Sequence, residues 1–326
     1  MYEGNILFVY DGSSTARLSA RWLCTWPIDA LTDAGYFVDG MTLGDVLGPT
    51  RRQRMVMDRA DVIVYERHIE ENWYPFFDWA LSKKRFFLTL DDAYWLADPS
   101  SGTHAFWSKN GRLQKLMEVA DAAEGVIAPS RKLAAHFRKG IFRPNRPNLK
   151  DPDWIVSPLF GERSILWGGT SGHIAGMRNH PCLGAIERVC KEDGAHFLGF
   201  TDLPEMKALL EKYGRVIGMQ QYSDWLRAIS GATLVICPLG KGYDEYRSWI
   251  KALEATLMGT RWLGSERGVY DYVSGGAVVD DTEEDWYEAL KEALHEPYDT
   301  EGPRAWAWKQ GLHDHLDEWE RIFNAQ

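Results

Sequence analysis

Short apolar runs alternate with helix-period stretches along the whole chain, and that alternation most narrows the folds open to it. In the first half the runs are NILFVY (5–10), YFVDGMTL (36–43), DVIVYER (61–67), RFFLTLDD (85–92) and GVIAPS (125–130). Helical patterns cover 15–34, 69–82 and 112–122 between them. The second half repeats the theme with SILWGG (164–169), AHFLGF (195–200), RVIGMQ (215–220), TLVICPL (233–239), TRWLGS (260–265) and GAVVDD (276–281). Strand and helix in alternation build a parallel sheet with helices on both faces. Residues 143–159, RPNRPNLKDPDWIVSPL, hold four prolines and break the periodicity, which marks a domain boundary. The predicted architecture is α/β, with doubly wound domains over 1–155 and 156–302 facing each other across a cleft. A C-terminal helix over 303–326, starting near Pro303, is expected to pack back on the first domain. Such sheets bind ligands outside the carboxyl ends of their strands, at the point where the strand order reverses. The cleft is therefore the expected site.

With 326 residues, 45% hydrophobic and 26% charged, the chain can bury two full cores. No apolar run approaches the roughly 20 residues that span a bilayer. MYEGNILFVYDG leads straight into a strand pattern and has no basic segment ahead of an apolar one, so no signal peptide is expected. Cys24, Cys182, Cys190 and Cys237 have no CxxC spacing. That argues against a disulfide framework or zinc site and for a reducing cytoplasm. The net charge of −10 is uneven: 1–156 hold 20 basic and 20 acidic residues, 157–326 hold 17 and 27. The fifteen tryptophans fit a buried core better than exposed sugar platforms.

RSWIKALEATLMG (247–259) follows a buried strand pattern and the loop GKGYDEY. A helix in that position offers free N–H groups and a positive dipole end to an anion. Arg247 and Lys251, four apart, would share a helix face toward a diphosphate, and Glu254 could accept from a ribose diol. A solvated charged face is the plain alternative. Extended to RSWIKALEATLMGTRWLGSERGVYDYV, the stretch resembles the helix–glycine–strand signature of retaining glycosyltransferases of the GT-B type, which have two Rossmann-like domains. These form the group 1, glycogen-synthase-like superfamily, with compact phage enzymes among them. The resemblance implies that Glu254 binds the nucleotide ribose and that Arg247 and Lys251 bind the donor diphosphate. The family pattern has a further glutamate eight residues before the ribose-binding one; here that place is Tyr246, beside Glu245.

LWGGTSGHIAGMRNHP (166–181) resembles the loop after the first strand of the family's second domain. Gly168 and Gly169 would let the backbone approach a ligand. Thr170 and Ser171 supply hydroxyls, and His173 could donate to a phosphate or sugar. In VYDGSSTARL (9–18), Gly12, Ser13 and Ser14 form a small-residue turn suited to an acceptor. In LTLDDAYW (88–95), Asp91 and Asp92 stand at a strand end, where they could hold sugar hydroxyls, act as base, or cap a helix. Ser130 is an expected N-cap. The D-x-D of residues 151–153 lies in the linker, and His313 with Asp317 suits a solvated helix face, so no metal site is expected. Neither a P-loop nor a nucleophile elbow with a partner histidine occurs.

The sequence thus points to a glycosyltransferase using a nucleotide sugar, UDP-linked in preference to GDP-linked, with no tightly bound cofactor, no metal and, by resemblance, retention. Its acceptor would be a glycan, a lipid-linked sugar or a hydroxymethylated base in phage DNA. RRQR (51–54), KKR (83–85) and RPNRPNLK (143–150) could track phosphates, although solvated faces explain them too. A non-catalytic nucleotide-sugar-binding protein of the same fold is the alternative, and Tyr246 is its best support.

Overall fold

The computed structural model describes all residues except 1, 14–16, 160–162, 170, 202, 219–220 and 326. The chain divides into two compact units. Unit 1 comprises Met1–Trp95, Phe106–Leu149 and Gln310–Gln326; unit 2 comprises Leu96–Ala105 and Lys150–Lys309.

Unit 1 contains a six-stranded parallel sheet of β1 (Ile6–Tyr10), β2 (Val38–Thr42), β3 (Val62–Glu66), β4 (Arg85–Thr89), β5 (Gly125–Ala128) and β6 (Gly140–Phe142). The order is β2-β1-β3-β4-β5-β6, so the reversal lies between β1 and β3. Every residue of β3 is buried, as a strand covered on both faces requires. β6 has no counterpart among the expected runs. It is three half-buried residues directly behind the short helix Arg131–His136, too brief to show a pattern.

Unit 2 contains β7 (Ser164–Gly168), β8 (His196–Phe200), β9 (Arg215–Ile217), β10 (Leu234–Cys237), β11 (Arg261–Ser265) and β12 (Gly276–Val279), again all parallel. Their order is β12-β11-β10-β7-β8-β9, and the reversal lies between β7 and β10. One apolar cluster under this sheet joins Ile165, Ile186, Ile236 and Trp286. Trp26, Trp167, Trp262, Trp286 and Trp319 are fully buried, in keeping with the core reading of the tryptophans.

Three expectations change. The C-terminal segment is two helices, Glu301–Trp308 and Leu316–Asn324, not one. Gly311 leaves the helical region and Leu312 N–H donates to Pro147 O instead. The 143–150 cluster is not a solvated basic face. Arg143 and Arg146 are buried; Arg146 pairs with Glu318 at 2.6 Å, and Arg143 lies 4.1 Å over the Trp319 ring. The helix expected from Arg247 begins at Ile250, because Arg247 is extended (φ −69°, ψ 169°) after the 3-10 turn Tyr243–Tyr246. No helix among the described residues is long and apolar enough to cross a membrane.

Candidate functional site

In unit 2 the loops leaving β7 and β10 meet at the reversal point. β7 ends at Gly168, and the chain runs through a 3-10 turn at Ser171–His173 into the helix Ile174–Arg178. Beyond β10, Gly240–Arg247 folds back on this segment. A Cβ on Gly176 would collide with the Asp244 carboxylate, so only glycine permits the approach. Asp244 organises the second loop: Oδ2 accepts from Gly240 N–H at 3.0 Å and Oδ1 from Arg247 Nε at 2.7 Å. Arg247 also lies over the Tyr243 ring, 4.9 Å from its centroid.

Lys251 and Arg247 therefore do not share a helix face. Arg247 precedes the helix, Lys251 is its second residue, and the loop brings the two cations into each other's field. Lys251 Nζ lies 2.9 Å from His173 Nε2 and 5.4 Å from the Trp167 ring centroid. Burial, reinforced by Arg247, pushes the ammonium down to about 8. His173 Nε2 and Lys251 Nζ are thus within hydrogen-bond distance, with the direction of the bond set by the ring tautomer. His173 itself is buried and packs edge-on to Trp167. Two cations, an imidazole and the N-terminal end of the helix Ile250–Met258 thus converge, an arrangement that suits a diphosphate.

Glu254 differs from its expected exposure. It is 2% exposed, with Oε1 accepting from Tyr222 O–H at 2.6 Å and Oε2 from Trp225 Nε1 at 2.7 Å. The Trp225 ring in turn fills the space beside Gly168, where a Cβ would fall 2.5 Å from it. The carboxylate therefore ties the helix Tyr222–Gly231 to the helix Ile250–Met258 beneath the β7 turn. Gly168 and Gly169 stand at that turn; Thr170 lies outside the described residues. Pattern reasoning missed Tyr222 and Trp225, as it missed the buried His180, whose Nε2 is 3.2 Å from Ser265 Oγ and 3.5 Å from Asp281.

In unit 1 the loops after β1, β3 and β4 bring another set together. Asp11 N–H donates to Glu66 Oε2 at 2.9 Å, and Asp11 accepts from Ser13 N–H at 2.8 Å and Ser13 Oγ at 3.0 Å. Glu66 is wholly buried, its other oxygen has no hydrogen-bond partner among the described residues, and burial pushes its carboxyl up to about 7. Gly12 and Ser13 are exposed, and Ser14 lies outside the described residues.

Asp91 is ion-paired with Arg67 and accepts from Tyr94 O–H. Burial acts to raise its pKa, but Arg67 outweighs that and holds it below the usual carboxylate range. A carboxylate so occupied is a poor base. Asp92 is half-buried beside it. Nothing in the pattern had singled out Asp11, Glu66, Arg67 or His68.

No protein-family model matches the chain, and no curated protein sequence matches it significantly. Solved structures do match. HepE from Anabaena, in complex with UDP and glucose, aligns with a TM-score of 0.64 at 13% identity over 98% of both chains. A glycosyltransferase from Rickettsia africae aligns at 0.63 and 11% identity, over 99% of this chain and 98% of that one. AviGT4, a glycosyltransferase involved in avilamycin A biosynthesis, aligns at 0.58 and 15% identity over 99% of both. UDP-GlcNAc 2-epimerase from Methanocaldococcus jannaschii aligns at 0.54 and 12% identity, over 99% and 100%. The chain has the two-sheet α/β fold of GT-B glycosyltransferases, a fold that UDP-GlcNAc 2-epimerases share.

Proposed function

We propose that the chain transfers a sugar from a nucleotide-sugar donor, UDP-linked in first choice, to an acceptor hydroxyl. The observation that carries this reading is the convergence of Lys251, Arg247 and His173 at the β7–β10 reversal point. The departing nucleoside diphosphate gains charge as the glycosidic bond breaks. Fixed cations and helix N–H groups stabilise that charge without reorganising. On this reading Lys251 and Arg247 hold the diphosphate, the Gly168–Gly169 turn receives it, and no divalent ion is required. Glu254 keeps a place near the nucleotide through the Tyr222–Trp225 pair that it anchors; direct contact with the ribose would require one of these donors to yield. Acceptor binding is assigned to unit 1, and the acceptor is a glycan or another hydroxyl-bearing molecule.

The epimerase likeness supplies the second reading, in which a UDP-sugar is bound but its sugar is isomerised. One experiment separates the readings. Purified protein is dialysed against EDTA and incubated with UDP-glucose, UDP-N-acetylglucosamine or GDP-mannose. Release of free nucleoside diphosphate, undiminished by the chelator, is the expected result. An epimerised UDP-sugar, or binding without turnover, would replace transfer by epimerisation or by a binding role. Activity lost on chelation and restored by magnesium would overturn the metal-free part alone.

A further inference from the structure

One buried imidazole of unit 2 takes no part in the donor reading, yet it joins the two loops that build the diphosphate site. His180 sits in the turn between the helix Ile174–Arg178 and the helix Cys182–Asp193. Its backbone N–H donates to Met177 O at 3.1 Å and so closes the first of these helices, which follows the β7 loop. Its side chain reaches other strands. Nε2 is 3.2 Å from Oγ of Ser265, the last residue of β11, and 3.5 Å from Asp281, just past β12. Ser265 Oγ also accepts from Leu239 N–H at 2.9 Å, where the loop after β10 begins. The next residue, Gly240, donates its N–H to Asp244 Oδ2 at 3.0 Å, and Asp244 Oδ1 holds Arg247 Nε at 2.7 Å. Two successive N–H groups are therefore pinned, one by Ser265 and one by the aspartate that orients Arg247. A Cβ on Gly240 would fall 2.5 Å from Gly176 Cα, so this loop lies directly on the helix that His180 closes.

The hydrogen bonds assign the ring's tautomer. Cys182 N–H donates to Nδ1 at 3.2 Å, and an amide N–H can only donate, so Nδ1 carries no proton. The proton of the neutral ring is then on Nε2, facing Ser265 Oγ and Asp281. An imidazolium would bear N–H on both nitrogens and set one of them against Cys182 N–H. The surroundings favour the neutral ring. Burial lowers its pKa most; Asp281, Asp244 and the Leu239 backbone act to raise it, and Arg267 lowers it further. Asp281 is itself ion-paired with Arg267, which weakens its pull on the ring. The Cys182 thiol is pushed far up by burial and stays protonated. Trp286 packs edge-on to the imidazole, 5.5 Å between ring centroids.

Resting on the nucleotide-sugar reading, we propose that His180 is a positioning residue of the diphosphate site: with Nδ1 unprotonated it clamps the loop after β10 onto the helix Ile174–Arg178 through Ser265, and protonation releases that clamp. His180 touches no substrate on this assignment. It acts on Arg247 through Ser265, Leu239 and Asp244. Nucleotide affinity is thereby tied to acidity by a group buried away from the ligand.

The test is calorimetric titration of the full chain with UDP and with GDP from about pH 7.5 to about pH 5, the range in which an ordinary imidazole takes its proton. His180→Phe keeps a ring against Trp286 and loses the hydrogen bonds. His180→Gln keeps an N–H for Ser265 and cannot titrate. At about pH 7.5 the phenylalanine variant should bind UDP about 5–100-fold more weakly, and the glutamine variant should recover part of that loss. On acidification the wild type should lose at least about threefold in affinity relative to His180→Gln. Titration of the UDP phosphate, His173 and Lys251 is common to both proteins and cancels in that ratio. A merely structural histidine would change the melting temperature and leave the ratio flat. Ser265→Ala covers the case in which the variants at position 180 fail to fold. It removes the link to Leu239, so it should weaken UDP binding and abolish the acid loss. Wild-type affinity in folded His180→Phe or Ser265→Ala, or a ratio constant over the range, would overturn the assignment. If the wild-type chain binds neither UDP nor GDP, the nucleotide-sugar reading fails and the assignment falls with it; nucleotide binding indifferent to these variants removes the assignment alone.

Discussion

The two sheets reverse their strand order in the same way, yet their reversal points carry opposite chemistry. After β7 and β10 stand Lys251, Arg247 and His173, with Asp244 engaged by Arg247. At the ends of β1, β3 and β4 stand Asp11, Glu66 and Asp91, with Arg67 engaged by Asp91. In both places one arginine–aspartate pair shapes a loop. The set is cationic with an imidazole in unit 2, and carboxylate with an imidazole in unit 1. Topology decides where loops converge, whereas the few residues past each strand decide what they can bind. An anionic diphosphate suits the first set and a neutral hydroxyl donor suits the second.

The comparison is broken most severely by reversing one charge. Lys251→Glu puts a carboxylate where the diphosphate is expected, and UDP affinity in calorimetry should fall beyond detection. Lys251→Ala should weaken it by about 1.5–3 kcal/mol, the range for charge-assisted hydrogen bonds. Unchanged affinity in a folded Lys251→Ala variant would end the diphosphate assignment. Wild-type affinity should also decline as pH rises through about 8, because the lysine loses its charge there.

A further variant asks whether the Glu254 carboxylate is structural. Glu254→Gln leaves one donor of the Tyr222–Trp225 pair facing an amide N–H. Stability in urea should drop by about 1–3 kcal/mol. A variant as stable as the wild type that nonetheless loses nucleotide but not pyrophosphate binding would restore direct ribose contact.

Glu66 gives a smaller and pH-dependent effect. Its folded pKa, about 7, lies above its unfolded value near 4.5, so between these values the folded state holds the extra proton. Stability from this group is present below pH 4.5 and is lost as pH rises through 7, amounting to about 1–3 kcal/mol in all. Glu66→Gln should flatten that slope in urea titrations at successive pH values. A slope that persists unchanged would mean that the carboxyl is not held neutral by burial.

The smallest effect is expected at the exposed helix Arg51–Arg59, which buries no residue. Replacing Arg51, Arg52 and Arg54 by glutamine should alter stability by no more than about 0.5 kcal/mol per site. A large change in melting temperature would show that these arginines have folded-state partners of consequence.

The sheets were legible because buried parallel strands are written as short apolar runs, and VIVYE or LVIC leaves little choice. Lys251 and His173 were legible from the glycine-rich loops around them. Glu66 was not, because it sits at the end of such a run and its burial is set by elements far along the chain. Asp91 looked like a base because Arg67, 24 residues away, is invisible to local pattern. The expected helix takes in residues 247–249, which the structure leaves outside it, and the shared-face spacing of Arg247 and Lys251 depends on that start. The nearness of the two cations is real but arises from loop folding, which periodicity does not encode.

Phe8 at the heart of β1 packs edge-on against Trp319 at 5.3 Å, and Trp319, Ile322 and Phe323 are all buried within unit 1. The helix Leu316–Asn324 that supplies them is synthesised only after the whole of unit 2. While residues 150–309 emerge from the ribosome, the first sheet has every strand but an uncovered apolar patch over β1. Unit 2 can close its own core first, although its main segment comes second in the chain. The order of completion during translation is therefore the reverse of the order of appearance, and the nascent first unit must stay soluble until the last helix arrives.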